Sequence, residues 1–271
     1  MFNRVKHLRF PKSKFLACFN QLRSSLAQDS TLRKCKELPN GIVLEDLNLN
    51  VHDLGKVRKV LVDAFVLNQE PIMHTLCERA FSGKPVEEKM PKIRRHFEKF
   101  FSDQFLIDKI EQGLSVVAIE KGATNRYISS AFAERYCGET YNTDVQLLRD
   151  PFWECGLQLM GDLHEQARPF LARYDPKKIA FISHAVTCPE LANSGIMITI
   201  IDLILSRLAE RGFNITLGVL TTKRSAKLVE NVFGYLPIAE ISYADYEING
   251  EKVFAHLAET AVSAKAMVKY L

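Results

Sequence analysis

The fold is decided by residues 178–220, which read KIAFISHAVTCPELANSGIMITIIDLILSRLAERGFNITLGVL. The apolar run at 179–186 has the composition of a buried strand, and the apolar positions of 196–211 recur with the period of a helix. Between them lies the turn 189–195, PELANSG. A second apolar run at 215–220 predicts another strand. The stretch therefore predicts a strand–turn–helix–strand unit of an α/β protein.

The turn at 189–195 is a candidate site for an anion. The first amides of a helix have no partner within the helix and lie at the positive end of its dipole. Such a place suits a phosphate or diphosphate group. The single glycine of the turn, Gly195, fits neither the spacing of a P-loop nor the Gly-x-Gly-x-x-Gly of dinucleotide-binding folds. We therefore interpret the turn as a phosphate site outside those two motif classes.

Several motifs beside this unit carry a family resemblance. On the carboxyl side they are Ser225-Ala226-Lys227-Leu228, Phe233-Gly234-Tyr235 and EISYADYEINGEKVF at 240–254. On the amino side they are Phe65, Gln69-Glu70-Pro71-Ile72 and LSVVAIE at 114–120. In this order the segments resemble the GNAT superfamily of acyl-CoA-dependent N-acetyltransferases, in particular the arylalkylamine (dopamine-type) enzymes of invertebrates. The resemblance covers roughly residues 42–255.

The resemblance implies an α/β (α+β) fold with a mostly antiparallel central sheet flanked by helices. The sheet is implied to splay open between its fourth and fifth strands, here 179–186 and 215–220, and the pantetheine arm of an acyl-CoA to lie in the splay. We predict a basic N-terminal extension at 1–40, followed by a single GNAT-like acetyltransferase domain at 41–271.

Local patterns predict the other elements. A first strand follows Gly41, Asp53 can cap the next helix, and segments 114–120 and 127–134 read as a hairpin. Helical spacing is found at 54–65, 71–80, 87–112 and 151–174, with a final alanine-rich helix at 257–270. The aromatic stripe within 87–112 is typical of core packing. Trp153 fits the core too, although an aromatic ring near an amine pocket could also hold a cation.

Acetyl transfer to an amine is helped by a base, and a positioned base is worth about 10²–10⁴-fold in rate. By resemblance Glu70 is the catalytic base. A carboxylate before Pro71 also fits a purely structural role, because it favours the dipole of the helix that starts there. Ser225 is implied as a catalytic residue that bonds the sulfur or the cofactor, and it equally fits a first-turn cap. A Cys188–His184 nucleophile pair lacks an orienting third group, so we expect no covalent mechanism.

The resemblance implies acetyl-CoA as co-substrate. Its binding residues would be Ala185, Val186, Leu191, Ala192, Asn193, Ser194, Gly195, Ile196 and Lys227. The turn departs from the family's Gln/Arg-x-x-Gly-x-Gly/Ala pattern, because the usual Arg-Gly pair becomes Ala192-Asn193. We expect either weaker binding of coenzyme A or a compensating basic residue, for which the candidates are Lys223, Arg224 and Lys227. A Tyr that many members use to protonate the thiolate is also replaced, by Val229.

Composition places the chain among ordinary globular proteins: of 271 residues, 47% are hydrophobic and 25% charged, with a net charge of +4. Six basic residues and no acidic one precede Asp29, which fits a mitochondrial transit peptide or a solvated basic extension. No run of eighteen apolar residues predicts a membrane span. The six cysteines form no Cys-x-x-Cys pair and no zinc spacing, so we expect free thiols, no metal, and a cytoplasmic protein with a mitochondrial location as the alternative.

Two functions fit these observations. The first is an enzyme that transfers acetyl directly from acetyl-CoA to a primary amine. The resemblance implies a small arylalkylamine, while polyamines, amino acids and protein lysine stay open. The second is a non-catalytic GNAT-fold protein that binds an acyl-CoA, a hypothesis motivated by the altered turn and the missing Tyr. The only observation in favour of a third function, a nucleic-acid-binding module, is the basic amino end of the chain. We expect a small-molecule partner and neither a nucleic-acid nor a membrane partner.

Overall fold

The computed structural model describes residues 38, 41–67, 70–138 and 151–271 of the chain. Their strands are β1 (Ile42–Asp46), β2 (Val116–Glu120), β3 (Arg126–Arg135), β4 (Ile179–Thr187), β5 (Ile215–Leu220), β6 (Leu236–Ser242) and β7 (Ser263–Tyr270). Their α-helices are α1 (Leu54–Leu67), α2 (Pro71–Phe81), α3 (Val86–Phe100), α4 (Asp103–Ile110), α5 (Glu154–Leu171), α6 (Ile196–Glu210) and α7 (Lys223–Phe233). The predicted extension at 1–40 lies, apart from residue 38, outside the described residues.

The strands form one sheet in the order β1-β2-β3-β4-β5-β7-β6. Neighbouring strands pair antiparallel, with the exception of the parallel pair β4–β5. A parallel pair needs a crossover connection, and here α6 supplies it. The expected α/β fold with a mostly antiparallel sheet is thereby confirmed.

β4 and β5 diverge partway along their length. Their pairing runs from Ile179 opposite Ile215 to Ile182 opposite Gly218. Beyond that point β4 continues to Thr187 and β5 to Leu220 without pairing to each other. The sheet therefore splays between the fourth and fifth strands, as predicted.

Helices cover both faces of the sheet. On one face, α1 to α5 bury a large aromatic and aliphatic core against sheet residues such as Phe132 and Leu217. On the other face, α6 and α7 pack on small sheet residues such as Ala131 and Ala180. The small residues let α6 approach β3 and β4 closely, which places the start of α6 beside the splay. Among the described residues, no helix has the length and apolar character needed to span a membrane.

Caps explain where some of the helices begin. The Oδ1 of Asp53 accepts from the amide of Lys56 at 3.2 Å, so the predicted cap of α1 is confirmed. Pro71 opens α2 at a position where its missing N–H costs nothing. The helix predicted at 87–112 is instead two helices, α3 and α4, because the side chain of Ser102 caps a new start by accepting from the amide of Phe105.

Two predicted elements differ from the structure. The helix predicted from Pro151 begins only at Glu154, after a turn. The final helix predicted at 257–270 is wrong, because Ser263–Tyr270 is strand β7. β7 lies between β5 and β6 and is mostly buried, so tertiary pairing overrides the helical preference of its Ala, Lys and Met residues.

Candidate active site

The splay opens into a cavity of about 400 Å³. Its wall is formed by side chains of β4, β5 and helices from both faces of the sheet, and it is mainly apolar and aromatic. The larger lining side chains are Phe65, Met73, Leu76, Phe100, Trp153, Met160, Phe181, Met197, Phe233 and Tyr235. Among the lining residues Glu70 is the only carboxylate, and none is a Lys or Arg. The cavity therefore offers one carboxyl group in an apolar setting.

Glu70 stands at the N-terminus of α2, where the cavity meets the end of β5. Its Oε2 accepts from the amide of Met73 at 2.8 Å, and its Oε1 accepts from the hydroxyl of Thr221. The first bond makes Glu70 the N-cap of α2. The structural role that the sequence suggested for a carboxylate before Pro71 is therefore present. The second bond ties the carboxylate to Thr221, at the end of β5 beside the splay.

Burial raises the pKa of Glu70 above its ordinary value of 4.5, and the hydrogen bonds from Thr221 and from backbone amides offset only part of this effect. Desolvation disfavours the charged carboxylate, whereas donors favour it. A carboxylate with a raised pKa holds a proton more firmly and is a better general base near neutral pH.

A buried tyrosine, Tyr243, holds Thr221 in place by a hydrogen bond to its backbone. The hydroxyl of Tyr243 donates to the carbonyl of Thr221 at 2.9 Å, and Tyr243 is fully buried. Burial and the nearby charge of Glu70 raise the pKa of Tyr243 further above its usual range. Tyr243 belongs to the EISYADY stretch and follows β6, so the last part of the sheet positions the Glu70–Thr221 pair.

Ser225 lies in the first turn of α7 and lines the cavity. Its hydroxyl lies 2.7 Å from that of Thr222 and donates to the Thr222 carbonyl at 3.0 Å. The Oγ1 of Thr222 accepts from the amide of Ser225 and is the cap of α7. The structure thus places Ser225 at the cavity wall, with Thr222 rather than Ser225 as the helix cap.

A β-bulge shapes β4 at the splay. Ser130 lies opposite Val186 and Phe132 opposite Ser183, so His184 and Ala185 together face a single residue of β3. Ala185 lines the cavity and is exposed. The carbonyl of Val186 already accepts from the hydroxyl of Ser129 at 2.7 Å. Ala185 and Val186 were the two residues predicted to contact pantetheine. Of these two, Ala185 is exposed at the splay, whereas the carbonyl of Val186 is already hydrogen-bonded.

The turn after β4 contains two left-handed residues. Asn193 and Gly195 have φ of 70° and 86°, values that Gly adopts freely and Asn more readily than most residues. The amides of Leu191, Ala192 and Ser194 donate within the turn, whereas those of Asn193 and Gly195 donate to no described residue.

The helix that follows adds further amides to this turn. The amide of Ile196 makes a long bond, 3.5 Å, to Ser194 Oγ. The amides of Met197 and Ile198 are in the first turn of α6 and lack intrahelical partners, and both residues line the cavity. These amides are the groups available to an anion.

A basic side chain from α7 reaches this turn. A guanidinium nitrogen of Arg224 donates to the side-chain oxygen of Asn193. Arg224, one of the three basic candidates, therefore brings a positive charge to the turn at Ala192-Asn193. Lys227 is exposed on α7 and does not line the cavity.

His184 and Cys188 do not form a catalytic pair. His184 Nδ1 is buried and has no hydrogen-bond partner. Burial is the main cause that raises the pKa of the Cys188 thiol, which disfavours the thiolate that a nucleophile requires. Among the described residues, no group of three or more His, Cys, Asp or Glu side chains could hold a metal ion.

Two site residues were missed from the sequence. The hydroxyl of Thr221 donates a hydrogen bond to Glu70, which is 151 residues away in the chain, and no local sequence pattern predicts such a contact. Its position at the end of β5, four residues before Ser225, was the only signal. His184 was considered as a nucleophile partner and not as part of the cavity wall, because the bulge that turns it there depends on the pairing with β3.

Comparison with known proteins supports the fold. No protein-family model matches the chain, and no curated protein matches it in sequence. The mosquito arylalkylamine N-acetyltransferase like 5b is 21% identical with a TM-score of 0.61, covering 85% of this chain and 100% of its own. Arylalkylamine N-acetyltransferase 2 from Aedes aegypti is 20% identical with a TM-score of 0.60, covering 85% and 99%.

A third structure has a different stated substrate. The polyamine N-acetyltransferase of Drosophila melanogaster, which forms N-acetylagmatine, is 16% identical with a TM-score of 0.59, covering 85% of this chain and 100% of its own. At these identities the likeness is one of fold. The chain has the GNAT fold that its motifs predicted.

Proposed function

We propose that the chain is an acetyl-CoA-dependent N-acetyltransferase that transfers an acetyl group directly to a primary amine. One observation carries the proposal: Glu70, with its raised pKa, lines an apolar cavity at the splay, beside a turn with unpaired amides. The three structures compared above are N-acetyltransferases by name, of arylalkylamines in two cases and of agmatine in the third.

The residues of the splay fit an acyl-CoA. The amides of Asn193, Gly195 and the first turn of α6 would hold the diphosphate, with the positive charge of Arg224 close by. Ala185 would offer backbone groups to the pantetheine arm in the splay. When bound, acetyl-CoA would supply an acetyl group activated as a thioester.

Glu70 would do the proton chemistry. An alkylamine is mostly protonated at neutral pH and must be neutral to attack, so Glu70 accepts its proton on a carboxylate oxygen, directly or through water. Thr221 and the amide of Met73 fix the orientation of that carboxylate. Ser225, on the same wall, would orient the sulfur end of the co-substrate. A thiol with a pKa near 8.5 leaves almost unaided as the thiolate. The valine at position 229, in place of the Tyr that many GNAT enzymes have, is therefore no obstacle to the reaction.

The lining of the cavity favours a small arylalkylamine. Aromatic rings such as Phe65, Phe100 and Trp153 provide apolar surface for a ring. A polyamine would need a second anionic group for its second ammonium, and an amino acid would need a cation for its carboxylate, yet the lining holds Glu70 as its only acid and no Lys or Arg. An aromatic monoamine matches this distribution.

A non-catalytic protein that binds an acyl-CoA is the competing function. The altered turn at Ala192-Asn193 and the valine at position 229 favour it. Against it stands the Glu70–Thr221 pair, which a binder without chemistry does not require. The contact of Arg224 with Asn193 serves both functions, because both need the acyl-CoA to bind.

The test is release of free thiol by the full chain from acetyl-CoA in the presence of an amine panel. The panel contains phenethylamine-type and indole-type arylalkylamines, agmatine, a diamine and a lysine peptide. We expect turnover with the arylalkylamines, and Glu70→Gln should lower kcat/KM by about 100-fold with unchanged affinity for coenzyme A. Binding of coenzyme A without turnover on any amine would support the competing function, and turnover that survives Glu70→Gln would remove Glu70 as the base.

A further inference from the structure

A second, smaller cavity lies beside the first. Its volume is about 40 Å³, and residues of α5, β3, β4, β5 and β7 line it. Three side chains, those of Met160, Phe181 and Val219, line both cavities. All three keep part of their surface exposed, as expected for side chains that face empty space. The two cavities are therefore neighbours, and this layer of three side chains lies between them.

One face of α5 runs along both cavities. Gly156 lines the first cavity, Met160 lines both, and His164 and Ala167 line the second. These positions are three or four residues apart, so they share one face of the helix. From Gly156 to Ala167 they span about 16 Å of helix. The two cavities thus form one trough along α5, and the side chain of Met160 interrupts it.

The second cavity offers mainly apolar space, because its polar side chains already have partners. The hydroxyl of Tyr136 lies 2.8 Å from Nε2 of His164, and the carboxylate of Glu134 forms an ion pair with Lys109. The guanidinium of Arg135 lies over a phenyl ring, 5.3 Å from its centroid. An ammonium or a carboxylate would gain no free partner from these pairs and would lose its hydration. An uncharged apolar chain fits the second cavity best.

The trough lies on the side of the sheet where the amine would be. Glu70, the proposed base, and Gly156 both line the first cavity, and their helices α2 and α5 cover the same face of the sheet. The helix α6, whose first turn would hold the co-substrate, packs on the other face. An amine whose nitrogen lies at Glu70 therefore has the trough along α5 open to its far end, whereas an acetyl group is too short to need one.

We propose that Met160 is a specificity-determining residue that limits the length of the acceptor amine, with the second cavity as an apolar extension of the amine site behind it. The inference rests on the proposed amine acetylation. The methionine side chain is unbranched and fills irregular gaps, so it closes the first cavity by its position alone. Amines that end before Met160 are accommodated, and longer ones are rejected because their added methylenes meet its side chain.

The experiment uses the full chain and a series of straight-chain primary amines from butylamine to decylamine. Kd from calorimetry and kcat/KM for thiol release are measured at each length. Each methylene that enters an apolar site should tighten binding by about fourfold. In wild type we expect this gain to stop at the length that reaches Met160, and both quantities to level off or worsen beyond it.

Variants on α5 test whether Met160 sets this limit. Met160→Ala removes the atoms beyond Cβ and keeps a residue that favours helix. The second cavity has room for about three groups of the size of a water molecule, so the limit should move to longer amines. We expect decylamine to gain at least about 10-fold over wild type in both quantities. Adding Ala167→Leu, which fills the second cavity, should remove most of that gain.

A methionine elsewhere in the first cavity provides the matched control. Met73 lines the first cavity and not the second, so Met73→Ala makes the same truncation without joining the two. It should leave the length limit where it is in wild type. Unchanged affinity of each variant for coenzyme A shows that its fold is retained.

The outcomes separate the two proposals. A wild-type series without a length limit, a limit that stays in place in Met160→Ala, or an equal move in Met73→Ala would overturn the role of Met160. Turnover of the short amines would then leave the acetyltransferase proposal intact. A limit that Met160→Ala moves for the acyl group of the acyl-CoA, and not for the amine, would also overturn it.

Failure of the acetyltransferase proposal has a different signature. Absence of thiol release with every amine would count against that proposal, while the Kd series would still decide the role of Met160. Absence of both binding and thiol release with every amine would overturn the two proposals together.

Discussion

Glu70 combines a structural role with the proposed chemical role in one carboxyl group. One oxygen caps α2 through the amide of Met73, and the other accepts from Thr221 at the splay. Because both bonds fix the side chain while the apolar wall raises its pKa, the carboxylate is oriented and basic at once. The sequence could predict Glu70 as a candidate, since its Glu-Pro context is local. It could not predict Thr221 or the unpaired His184, because their surroundings come from distant chain segments.

The raised pKa predicts a particular dependence of activity on pH. The base works only when ionised, so kcat/KM should fall as the pH drops through the pKa of Glu70. The midpoint of this acid limb should lie above the ordinary glutamate value of 4.5. A profile of kcat/KM between pH 4 and 9 measures it, with Glu70→Gln as the control in which the limb assigned to Glu70 disappears. A limb at or below the ordinary value would contradict the desolvated environment assigned to Glu70.

Arg224 and Lys227 offer a matched pair on one helix. Arg224 contacts Asn193 in the turn at 189–195, whereas Lys227 is exposed and does not line the cavity. Arg224→Ala should weaken binding of coenzyme A by about 10-fold, since a bond to a charged group is lost at an exposed site. Lys227→Ala should change the affinity by no more than about twofold. Calorimetry with both variants checks this, and equal effects would show that α7 contributes only its general positive charge.

At the level of elements, one of the two glycines of α5, Gly156, sets the distance of α5 from α2, the helix that carries Glu70 at its start. A Cβ at Gly156 would lie 3.1 Å from Cδ1 of Leu76 and 3.4 Å from Cγ2 of Ile72, whereas a Cβ at Gly161 would meet nothing within 4 Å. Gly156 also lines the cavity. The close approach of α5 to α2 therefore needs a residue without a side chain at one of the two positions.

Alanine at the two glycines should separate helix propensity from packing. Gly161→Ala should raise the free energy of unfolding by about 0.5–1 kcal/mol, because alanine favours the helix. Gly156→Ala has the same gain but must displace Leu76 and Ile72, so we expect no gain or a loss of about 1 kcal/mol, together with a raised KM for the amine. Denaturant unfolding of both variants measures the difference. An equal gain at the two positions would contradict the tight contact between α5 and α2.

Elements were predictable where the pattern is local and periodic. The capped α1, the Pro-initiated α2 and the apolar strands β4 and β5 lie close to their predicted positions. β7 was missed because it is nearly buried on both sides of the sheet, so its sequence does not alternate, and its alanines and lysines prefer helix. The break between α3 and α4 depends on a cap at Ser102 inside a helical pattern. For β7 the tertiary partners β5 and β6 decide the outcome, whereas the break between α3 and α4 comes from a local cap that the helical period conceals.

For the molecule as a whole, the splay is the feature on which function depends. It joins the cavity, the β4 bulge and the turn at 189–195 in one place, and it lies in the only parallel pair of strands in the described sheet, which α6 connects. The family resemblance predicted the splay from the order of the motifs. The altered turn left the binding of coenzyme A open, and Arg224 offers the compensating charge.

Binding of coenzyme A is the most direct test of this account. Calorimetric titration of the full chain should show one site per chain. At a free ligand concentration 100 times the Kd, the free energy of unfolding should rise by about 2.7 kcal/mol. The amide signals of Asn193, Gly195 and the first turn of α6 should shift in the same titration. No heat of binding, no change in the melting curve and no shifted amides would contradict the claim that the splay and its turn hold an acyl-CoA.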